Sequence, residues 1–592
     1  MRVGEHKEDL VARLRLLARL VLVALAIEGA FFWVVQVVRG SYYETLAENN
    51  RLRKLPLNAP RGLIYDRDGR LLVENVPSYN LLLDRSRMRS ADASLRFAAT
   101  LLERPAEELR SELERYRSTP SFAPVLLAEN LTLGEVARFS AQSLEHPEFE
   151  IEVGHLRLYR HGLQTAHVLG YLGEPSLSDL QAGRSPGDLV GKKGVEQRYD
   201  RELRGHHGER VVVVDSRGRL LEQLRGESAQ AGQNLELTLD LDLQQAASEA
   251  LADQVGTVVA LDPRNGEILA LVSSPAFNPN QFVRHLGVEQ WRDLLQAPNN
   301  PLLDRALQNT YSPGSVFKAV IAVAALSEHV VEPGDTVFCG GVTTFYNRPF
   351  RCWKKEGHGR VDLLAALKGS CDIYFYTVGQ KLGIERIAKY ARLFGFDHAT
   401  GIDLAGEKSG IVPDPRWSLL TRRTPWYAGE TISVAIGQGP LLVTPLQVAE
   451  MMAVIANGGY RVTPHIVKDA PVPGPQPLPI DHDALTRVRQ GLWAVVNDGG
   501  TGQAAQIAGL DIAGKTSTVQ VIAQHTWTDS STLPFEQRDH AWFGSFAPAF
   551  DPRLVVVVFV EHGGKGSAAA APIAKRIYET YFRNVLAARQ PS

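Results

Sequence analysis

The chain carries one long apolar segment among shorter, alternating ones. From Leu20 to Val38 the sequence LVLVALAIEGAFFWVVQVV is almost unbroken apolar, and as a helix it covers a hydrocarbon core of about 30 Å. A cleaved signal peptide is the rival interpretation, but the segment is long for one and no A-x-A-like cleavage site follows it. The pattern therefore predicts an uncleaved membrane anchor. Because we find no second segment of this kind in the sequence, it predicts a single-pass protein.

Beyond the anchor, the pattern of apolar and polar residues changes near residue 230. Before that point, strand-like segments broken by Asp-Gly turns alternate with helical stretches rich in Leu, Glu, Arg and Ala. After it come an apolar hairpin, many helices, two apolar strands and a terminal helix, which indicates an antiparallel sheet with helices packed on it. We therefore predict an α+β fold with a tail at 1–19, the anchor at 20–38, an elongated mixed α/β module at 39–230 and a globular domain at 231–592.

Composition and charge exclude several classes of protein. With 64 Lys and Arg against 66 Asp and Glu, the chain is close to neutral, which argues against a globally basic nucleic-acid binder. An apolar content of 44% over 592 residues argues against disorder and allows a large core. Three cysteines cannot carry a disulfide-stapled scaffold, yet all three fall between residues 339 and 371. Their clustering indicates a local role.

The sharpest chemical signal is the segment YSPGSVFKAVIAVAAL. A Pro-Gly turn precedes Ser315, which opens an apolar helix and places Lys318 three residues later on the same helical face. A serine hydroxyl is a weak nucleophile until a base lies within hydrogen-bond reach, and a lysine with a depressed pKa can serve as that base. Alone, this spacing is weak evidence, because a helix cap followed by a surface lysine gives the same letters.

Two further segments strengthen that signal. KGSCDIYFYTVGQKLG places Ser370 and Asp372 two residues apart, so that they share a face if the loop is extended. DIAGKTSTVQVI places Lys515, Thr516, Ser517 and Thr518 at the start of a strand. The order S-x-x-K, S-x-D, K-T-x-T is close to the pattern of the penicillin-recognising serine acyl-transferases.

The sequence resembles the class B penicillin-binding proteins, and most closely their elongation-type branch, the penicillin-binding protein 2 family. The resemblance covers nearly the whole chain. It includes PRGLIYDRDGRLL and GKKGVEQRYDRELRG before residue 230, then SPGSVFK, FRCWKKEGHG, SCDIYFY, AIGQGPLLVTPLQ, AGKTST and HAWFGSFAP. It implies that 39–230 is a membrane-proximal dimerisation or pedestal module and that 231–592 is a transpeptidase domain with the penicillin-binding and serine β-lactamase-like fold. The Ser-Cys-Asp motif resembles the elongation branch, since the septal branch usually carries Ser-x-Asn.

The resemblance implies a peptidoglycan D,D-transpeptidase that works through an acyl-enzyme and needs no cofactor for catalysis. Ser315 would attack the carbonyl of the penultimate D-Ala of a stem pentapeptide and expel the terminal D-Ala. Lys318 would be the base for that attack, kept neutral by the neighbouring cation Lys515. Ser370 would relay the proton to the leaving amine. An amine from a neighbouring stem peptide would then attack the acyl-enzyme and form a 4→3-type cross-link, and a β-lactam would trap the acyl stage.

The same resemblance assigns the remaining motif residues. Asp372, in place of the more common asparagine, would orient Lys318 or the substrate amide. The backbone N–H groups of Ser315 and Thr518 would form the oxyanion hole. The hydroxyls of Thr516 and Thr518 would receive the substrate carboxylate with help from the third-motif lysine.

Ser517 departs from the family pattern. The family normally has glycine at this position, which lets the strand approach the substrate and nucleophile closely. A serine side chain would crowd the site if it points inward, and would be harmless if it turns to the far side of the strand. The first case leaves room for a catalytically weakened enzyme.

The cysteines form a set with a histidine. Cys339, Cys352, His358 and Cys371 are separated by 12, 5 and 12 residues, and three cysteines with one histidine are ligands of closed structural zinc sites. Similar elongation-type enzymes have a zinc site in this region, often with Asp in place of the first two cysteines. A disulfide between Cys339 and Cys352, or a plain loop histidine, are the competing interpretations. We expect structural zinc, with Cys371 bracing the second catalytic motif from behind.

The resemblance also implies a cellular setting. It places the anchor in the inner membrane, the N-terminus in the cytoplasm and the catalytic domain in the periplasm, where it would support elongation and rod shape. No polymerase domain is apparent in the sequence, so glycan polymerisation would fall to a SEDS-family glycosyltransferase of the elongation complex, with other scaffold proteins. Two alternatives remain: a catalytically weakened wall-synthesis scaffold, and a membrane-bound β-lactam sensor or hydrolase. A side activity as D,D-carboxypeptidase is also expected.

Overall fold

The computed structural model describes residues 4–117, 124–184, 188–215, 220–283, 286–522 and 530–583. The predicted tail and globular domain each extend beyond them, since residues 1–3 and 584–592 lie outside the described residues. Contacts divide the chain into two compact units. The first comprises Met1–Pro60, Val76–Leu156 and Gly205–Gly232, and the second comprises Arg61–Asn75, Arg157–Arg204 and Gln233–Ser592. The boundary predicted at residue 230 stays a prediction.

Helices occur throughout both units and are numbered in chain order. They are α1 Gly4–Trp33, α2 Gly40–Arg51, α3 Ala91–Leu102, α4 Ala106–Arg115, α5 Leu133–Ala141, α6 Gly162–Leu169, α7 Leu177–Gln181, α8 Gly194–Arg198, α9 Asp200–Arg204, α10 Leu241–Leu251, α11 Asn280–Val283, α12 Val288–Gln296, α13 Lys318–Ser327, α14 Leu363–Lys368, α15 Asp372–Leu393, α16 Pro415–Trp417, α17 Ala428–Val434, α18 Pro445–Ala456, α19 His482–Asn497 and α20 Gly566–Tyr581.

The strands are numbered in the same way. They are β1 Leu52–Leu57, β2 Ile64–Tyr65, β3 Leu71–Leu83, β4 Val125–Ala128, β5 Phe149–Tyr159, β6 Leu172–Gly173, β7 Val190–Gly191, β8 Gly208–Val214, β9 Leu220–Glu227, β10 Leu235–Glu236, β11 Gly256–Leu261, β12 Ile268–Ser274, β13 Val337–Cys339, β14 Val342–Phe345, β15 Arg348–Arg351, β16 Gly359–Val361, β17 Tyr460–Arg461, β18 Gln476–Pro477, β19 Ala513–Val519, β20 His540–Ala547 and β21 Leu554–Val560.

The N-terminal apolar segment is helical, as its pattern predicts. Helix α1 continues as a π-helical turn over Val34–Val38. Among the described residues, Asp9–Val38 is the one helical stretch that is long and apolar enough to cross a membrane. The segment predicted as the anchor, 20–38, lies within it.

The first unit is built from small sheets and helices. Strands β1, β8 and β9 form a three-stranded antiparallel sheet. Elsewhere in the unit, the end of β3 pairs with β4, and helices α3 to α5 pack on this pair. Leu81, Leu95 and Phe139 lie in the resulting core. The mixed character expected from the sequence is therefore present in this unit.

The second unit is centred on a five-stranded antiparallel sheet in the order β12-β11-β21-β20-β19. Its strands β11, β12, β20 and β21 are the apolar runs from which the sequence predicted a sheet. All seven residues of β21 are buried, which is expected for a central strand covered on both faces. The strand that carries the third motif, β19, lies at the edge of this sheet.

Helices cover both faces of the sheet. Helices α10 and α20 pack on one face, where Phe543 and Val558 join their apolar residues in one core. On the other face Gly544 leaves room for Met452 of α18 and for Val316, since a Cβ at that glycine would lie 2.7 Å from the methionine side chain. Val316 follows Ser315 in the chain, so this packing places the first motif beside the edge strand.

Candidate active site

Ser315 lies in a tight turn before a buried apolar helix. Gly314–Phe317 form a 3-10 turn, and α13 begins directly at Lys318. Gly314 has a φ of +55°, which favours glycine, and its N–H donates to the carbonyl oxygen of Gly437 over 2.9 Å. The regular helix thus begins three residues later than predicted, because its first turn is tightened to 3-10 geometry, as is common at helix N-termini.

The side chain of Lys318 is fully buried and ends among oxygen atoms of the second motif. Its Nζ lies 2.6 Å from Asp372 Oδ1, 3.0 Å from the carbonyl oxygen of Ser370 and 3.3 Å from Ser370 Oγ. A buried lysine amine requires such partners, because a polar group without hydrogen bonds is costly to remove from water. The first two motifs therefore meet, as the resemblance implies.

The second motif is not an extended loop. Ser370 has a φ of +54° and Asp372 is the first residue of α15, so the two do not share a face by strand alternation as predicted. Both still reach Lys318, because the chain turns between them. The second carboxylate oxygen of Asp372 accepts a hydrogen bond from the backbone N–H of Trp353 over 2.9 Å. The aspartate is thus held from two sides.

Lys515 projects from the edge strand into the same buried region. It is fully buried, and its Nζ donates to the carbonyl oxygen of Thr516 over 3.1 Å. Burial lowers the pKa of Lys515 well below its usual range, and the neighbouring Lys318 lowers it further. The lowered pKa of Lys515 opposes its expected role as the fixed cation in the free enzyme. The neutral state expected of Lys318 stays a prediction.

Ser517 points inward, toward the nucleophile. Its Oγ accepts a hydrogen bond from the backbone N–H of Ser315 over 2.8 Å, and its residue exposure is 2%. The alternative in which the side chain turns to the far side of the strand is therefore wrong. Lys515, Ser517 and Val519 share one face of β19 by alternation, which explains why the serine follows the buried lysine inward.

The two threonines of the third motif lie in different environments. Thr516 is buried, and its hydroxyl lies 2.6 Å from that of Thr501, which the sequence analysis did not identify. Thr518 is exposed, and its hydroxyl accepts a weak hydrogen bond from the N–H of Gly566 over 3.5 Å. The Gly-Gly-Thr-Gly sequence at 499–502 was the available signal for a loop that approaches this strand.

The predicted cysteine and histidine set comes together in space. The ligand atoms of Cys339, Cys352, His358 and Cys371 all lie within 4.8 Å of one another. His358 Nδ1 lies 3.6 Å from Cys339 Sγ and 3.5 Å from Cys352 Sγ. All three cysteines are buried, and none forms a disulfide among the described residues. The alternative of a Cys339–Cys352 disulfide is therefore wrong for this part of the chain.

This cysteine cluster adjoins the second motif through the backbone. Cys371 is the N-cap residue of α15 and directly precedes Asp372. On the other side, Cys352 directly precedes Trp353, whose N–H binds the Asp372 carboxylate. Two cysteines of the cluster are thus the chain neighbours of Asp372 and of Trp353, the residue that donates to the Asp372 carboxylate.

The chain matches two protein-family descriptions over most of its length. Residues 256–579 match the penicillin binding protein transpeptidase domain, and residues 56–237 match the penicillin-binding protein dimerisation domain. The peptidoglycan D,D-transpeptidase MrdA of Haemophilus influenzae is 36% identical to it, over 98% of this chain and 94% of the relative.

The chain belongs to the penicillin-binding protein 2 family of peptidoglycan D,D-transpeptidases. Solved structures of this family resemble it closely. The complex of penicillin-binding protein 2 with MreC from Helicobacter pylori has a TM-score of 0.81 at 29% identity and covers 90% of this chain and 99% of that one. A chain from a study of how a peptidoglycan synthase complex coordinates polymerization and crosslinking has a TM-score of 0.72 at 31% identity, covering 98% and 99%.

Membership of the penicillin-binding protein 2 family confirms the resemblance, the fold class and the serine transpeptidase activity predicted from the sequence. The structure brings together Ser315, Lys318, Ser370, Asp372 and the β19 strand. It adds two residues that the sequence analysis missed, Thr501 beside Thr516 and Trp353 beside Asp372. The individual roles of these residues are taken up below as proposals.

Proposed function

We propose that this chain cross-links peptidoglycan stem peptides during cell-wall elongation and maintenance of rod shape, with Ser315 as the acyl nucleophile. The observation that carries the proposal is the buried Lys318, which lies one turn after Ser315 and contacts both Ser370 and Asp372. A buried lysine fixed beside a serine at a helix start supplies the base that a serine nucleophile needs. Lys515 completes the cluster from the edge strand.

In acylation, Ser315 Oγ attacks the carbonyl carbon of the penultimate D-Ala while the amine of Lys318 takes the hydroxyl proton. As the C–N bond breaks, Ser370 Oγ gives its proton to the departing D-Ala nitrogen and takes the proton held by Lys318, whose Nζ lies 3.3 Å away. The product is an ester on Ser315 and free D-Ala. An amine of a neighbouring stem peptide then attacks the ester carbonyl, forms the 4→3 cross-link and returns Ser315 to its hydroxyl form. With a β-lactam as substrate, the reaction stops at the ester on Ser315.

The edge strand receives the substrate. The N–H groups of Ser315 and Thr518 stabilise the oxyanion, and donors of this kind contribute about 10²- to 10³-fold in rate each. The strand residues Thr516, Ser517 and Thr518 lie along the peptide, and the hydroxyls of Thr516 and Thr518 with Lys515 receive its carboxylate. An anionic substrate favours the protonated form of Lys515, against the burial that lowers its pKa in the free enzyme.

We propose that the cysteine cluster binds structural zinc. In a tetrahedral site with Zn–S of about 2.3 Å and Zn–N of about 2.05 Å, a sulfur and a nitrogen lie about 3.5 Å apart. The separations of His358 Nδ1 from Cys339 Sγ and Cys352 Sγ, 3.6 and 3.5 Å, fit that edge length. With Cys371 the donor set is closed at four, so zinc would brace the turns around Asp372 and take no part in the chemistry.

Metal analysis of the purified protein tests the zinc site. We expect one zinc per chain, lost in Cys371→Ser, together with a lower midpoint of thermal unfolding. Ser545→Ala is the matched control, because it also removes a buried polar contact but lies on β20 away from the cluster. A metal-free protein with three titratable thiols would contradict the proposal.

Membership of the family supports a proposal for the cellular setting. One N-terminal helix has the length and composition of a membrane span, so we propose a single-pass protein of the inner membrane with a cytoplasmic N-terminus and a periplasmic catalytic domain. A relative has been solved with MreC, and another belongs to a peptidoglycan synthase complex. We propose a SEDS-family glycosyltransferase and elongation-complex scaffold proteins as partners, and β-lactams as inhibitors.

Muropeptide analysis tests the cross-linking function. In cells that depend on this chain, we expect Ser315→Ala to lower the fraction of cross-linked muropeptides and to round the cells. Ser312→Ala, three residues earlier in the same segment, is the control and should leave both unchanged. Unaltered cross-linking in Ser315→Ala would instead support the scaffold alternative, and rapid release of hydrolysed penicillin by the purified protein would support the hydrolase alternative.

A further inference from the structure

The hydroxyl of Ser517 already binds the backbone N–H of Ser315, which the proposed reaction requires for the oxyanion. Its Oγ lies 2.8 Å from the backbone nitrogen of Ser315 and accepts the hydrogen bond of that N–H. We propose that Ser517 is a positioning residue that closes the oxyanion hole of the resting enzyme and must turn its side chain away before a substrate carbonyl can enter. This inference rests on the proposed function, because it assigns the Ser315 N–H to the oxyanion.

A substrate oxygen and the Ser517 hydroxyl compete for the same place. Donors of an oxyanion hole lie about 2.7 to 3.1 Å from the oxyanion, and the Oγ already lies at that distance from the Ser315 nitrogen. A single N–H offers one proton, directed at one acceptor in a strong hydrogen bond. A carbonyl oxygen therefore binds the Ser315 N–H only after the hydroxyl has left.

The surroundings fit the inward position of the hydroxyl closely. A Cβ on Gly314 would lie 2.2 Å from Ser517 Oγ and 2.7 Å from a methyl group of Val519. The absence of a side chain at Gly314 thus makes the space in which the hydroxyl lies. Ser517 is consequently held beside the nucleophile by packing as well as by its hydrogen bond.

The backbone of the strand offers little freedom to relieve the competition. Ser517 pairs with Trp542 in the β19–β20 ladder. Gly566 also packs against Ser517, so closely that a Cβ on Gly566 would lie 2.4 Å from the Ser517 carbonyl oxygen. Because the strand is fixed by both contacts, rotation about the Cα–Cβ bond of Ser517 is the motion that opens the hole.

The expected effect is modest. A neutral hydrogen bond in a folded protein corresponds to about two- to tenfold in an equilibrium constant. An apparent dissociation constant rises by the inverse of the open fraction, so closure weakens formation of the precovalent complex by about that factor. The limiting rate of acylation is unaffected, because the hole is open in every complex that reacts.

The test is the kinetics of acylation by a fluorescent penicillin on the full-length protein in detergent. We expect Ser517→Ala and Ser517→Gly each to lower the apparent dissociation constant of the precovalent complex about two- to tenfold, with the limiting acylation rate unchanged within twofold. Ser545→Ala, which removes a buried hydroxyl from the neighbouring strand, is the control and should keep wild-type constants. Two variants are used so that a folding defect in one does not decide the result.

Three outcomes would overturn the inference. Unchanged constants in both variants would show that the hydroxyl does not compete. A lower limiting rate in both would show that the Ser517 hydroxyl itself donates to the oxyanion. Absence of any penicillin adduct on the wild-type protein would refute the proposed function and this inference with it, whereas normal wild-type acylation with unchanged variants refutes the inference alone.

Discussion

Asp372→Asn removes the negative charge that faces Lys318 while keeping the size of the side chain. In the structure the carboxylate accepts two hydrogen bonds through different oxygens, from Lys318 Nζ at 2.6 Å and from the Trp353 N–H at 2.9 Å. An amide has one acceptor oxygen and an NH₂ group that only donates. In either orientation, therefore, the asparagine turns its NH₂ group toward one of these two partners, the Lys318 amine or the Trp353 N–H.

The size of the effect follows from these two contacts. A hydrogen bond to a charged group contributes about 1.5–3 kcal/mol and a neutral one about 0.5–1.5, so loss of the charge costs about 1–2 kcal/mol at Lys318. An unsatisfied buried donor costs about 1–3 kcal/mol more. We expect the free energy of unfolding to fall by about 2–5 kcal/mol. Because Lys318 is also less well fixed beside Ser315, we expect penicillin acylation to slow by about tenfold or more.

The assay pairs urea unfolding with stopped-flow acylation, and Asp362→Asn is its control. Asp362 caps α14 by accepting the N–H of Ala365 over 2.8 Å, and asparagine caps helices as well as aspartate does. The control should keep wild-type stability and rate. If Asp372→Asn unfolds and acylates like Asp362→Asn, the two hydrogen bonds of Asp372 do not have the importance assigned to them here.

Two further substitutions test the packing of the second unit. Gly314→Ala places a side chain at a positive φ, with its Cβ 2.2 Å from Ser517 Oγ. We expect urea unfolding to show a loss of about 2–4 kcal/mol, of which Ser517→Gly restores part. Wild-type stability of Gly314→Ala would contradict this. Burial raises the pKa of Glu450 to about 8, although Arg461 opposes the shift. Since the unfolded chain releases that proton near pH 4.3, stability falls as pH rises from about 4 to 8, and Glu450→Gln should lose this slope and gain about 3 kcal/mol at pH 7. If the free energies of unfolding of the wild type and of Glu450→Gln depend on pH in the same way, this prediction is refuted.

The sheet was predictable because its strands carry their own signals. The apolar runs of β11, β12, β20 and β21 are bounded by turn residues, so local pattern and final structure agree. The convergence of the S-x-x-K and S-x-D motifs on Lys318 came from their resemblance to a known arrangement. The spacing of the cysteines gave the ligand types, and the fold brought them within 4.8 Å.

The side-chain arrangement within the site could not be predicted, because it depends on contacts between distant segments of the chain. The direction of Ser517 follows from the closeness of β19 to Gly314, which in turn approaches Gly437, and no local pattern encodes those approaches. The surroundings of the two lysines could not be predicted for the same reason. Asp372 contacts Lys318, while Lys515 is buried against a backbone carbonyl.

The central claim is that Ser315 forms the acyl-enzyme. Intact mass spectrometry of the purified protein after treatment with penicillin, followed by peptide mapping, tests it most directly. We predict one added penicillin per chain, located on the peptide that contains Ser315 and absent from Ser315→Ala, while Ser312→Ala is modified like the wild type. An unmodified wild-type protein, or an adduct that persists in Ser315→Ala, would contradict the account.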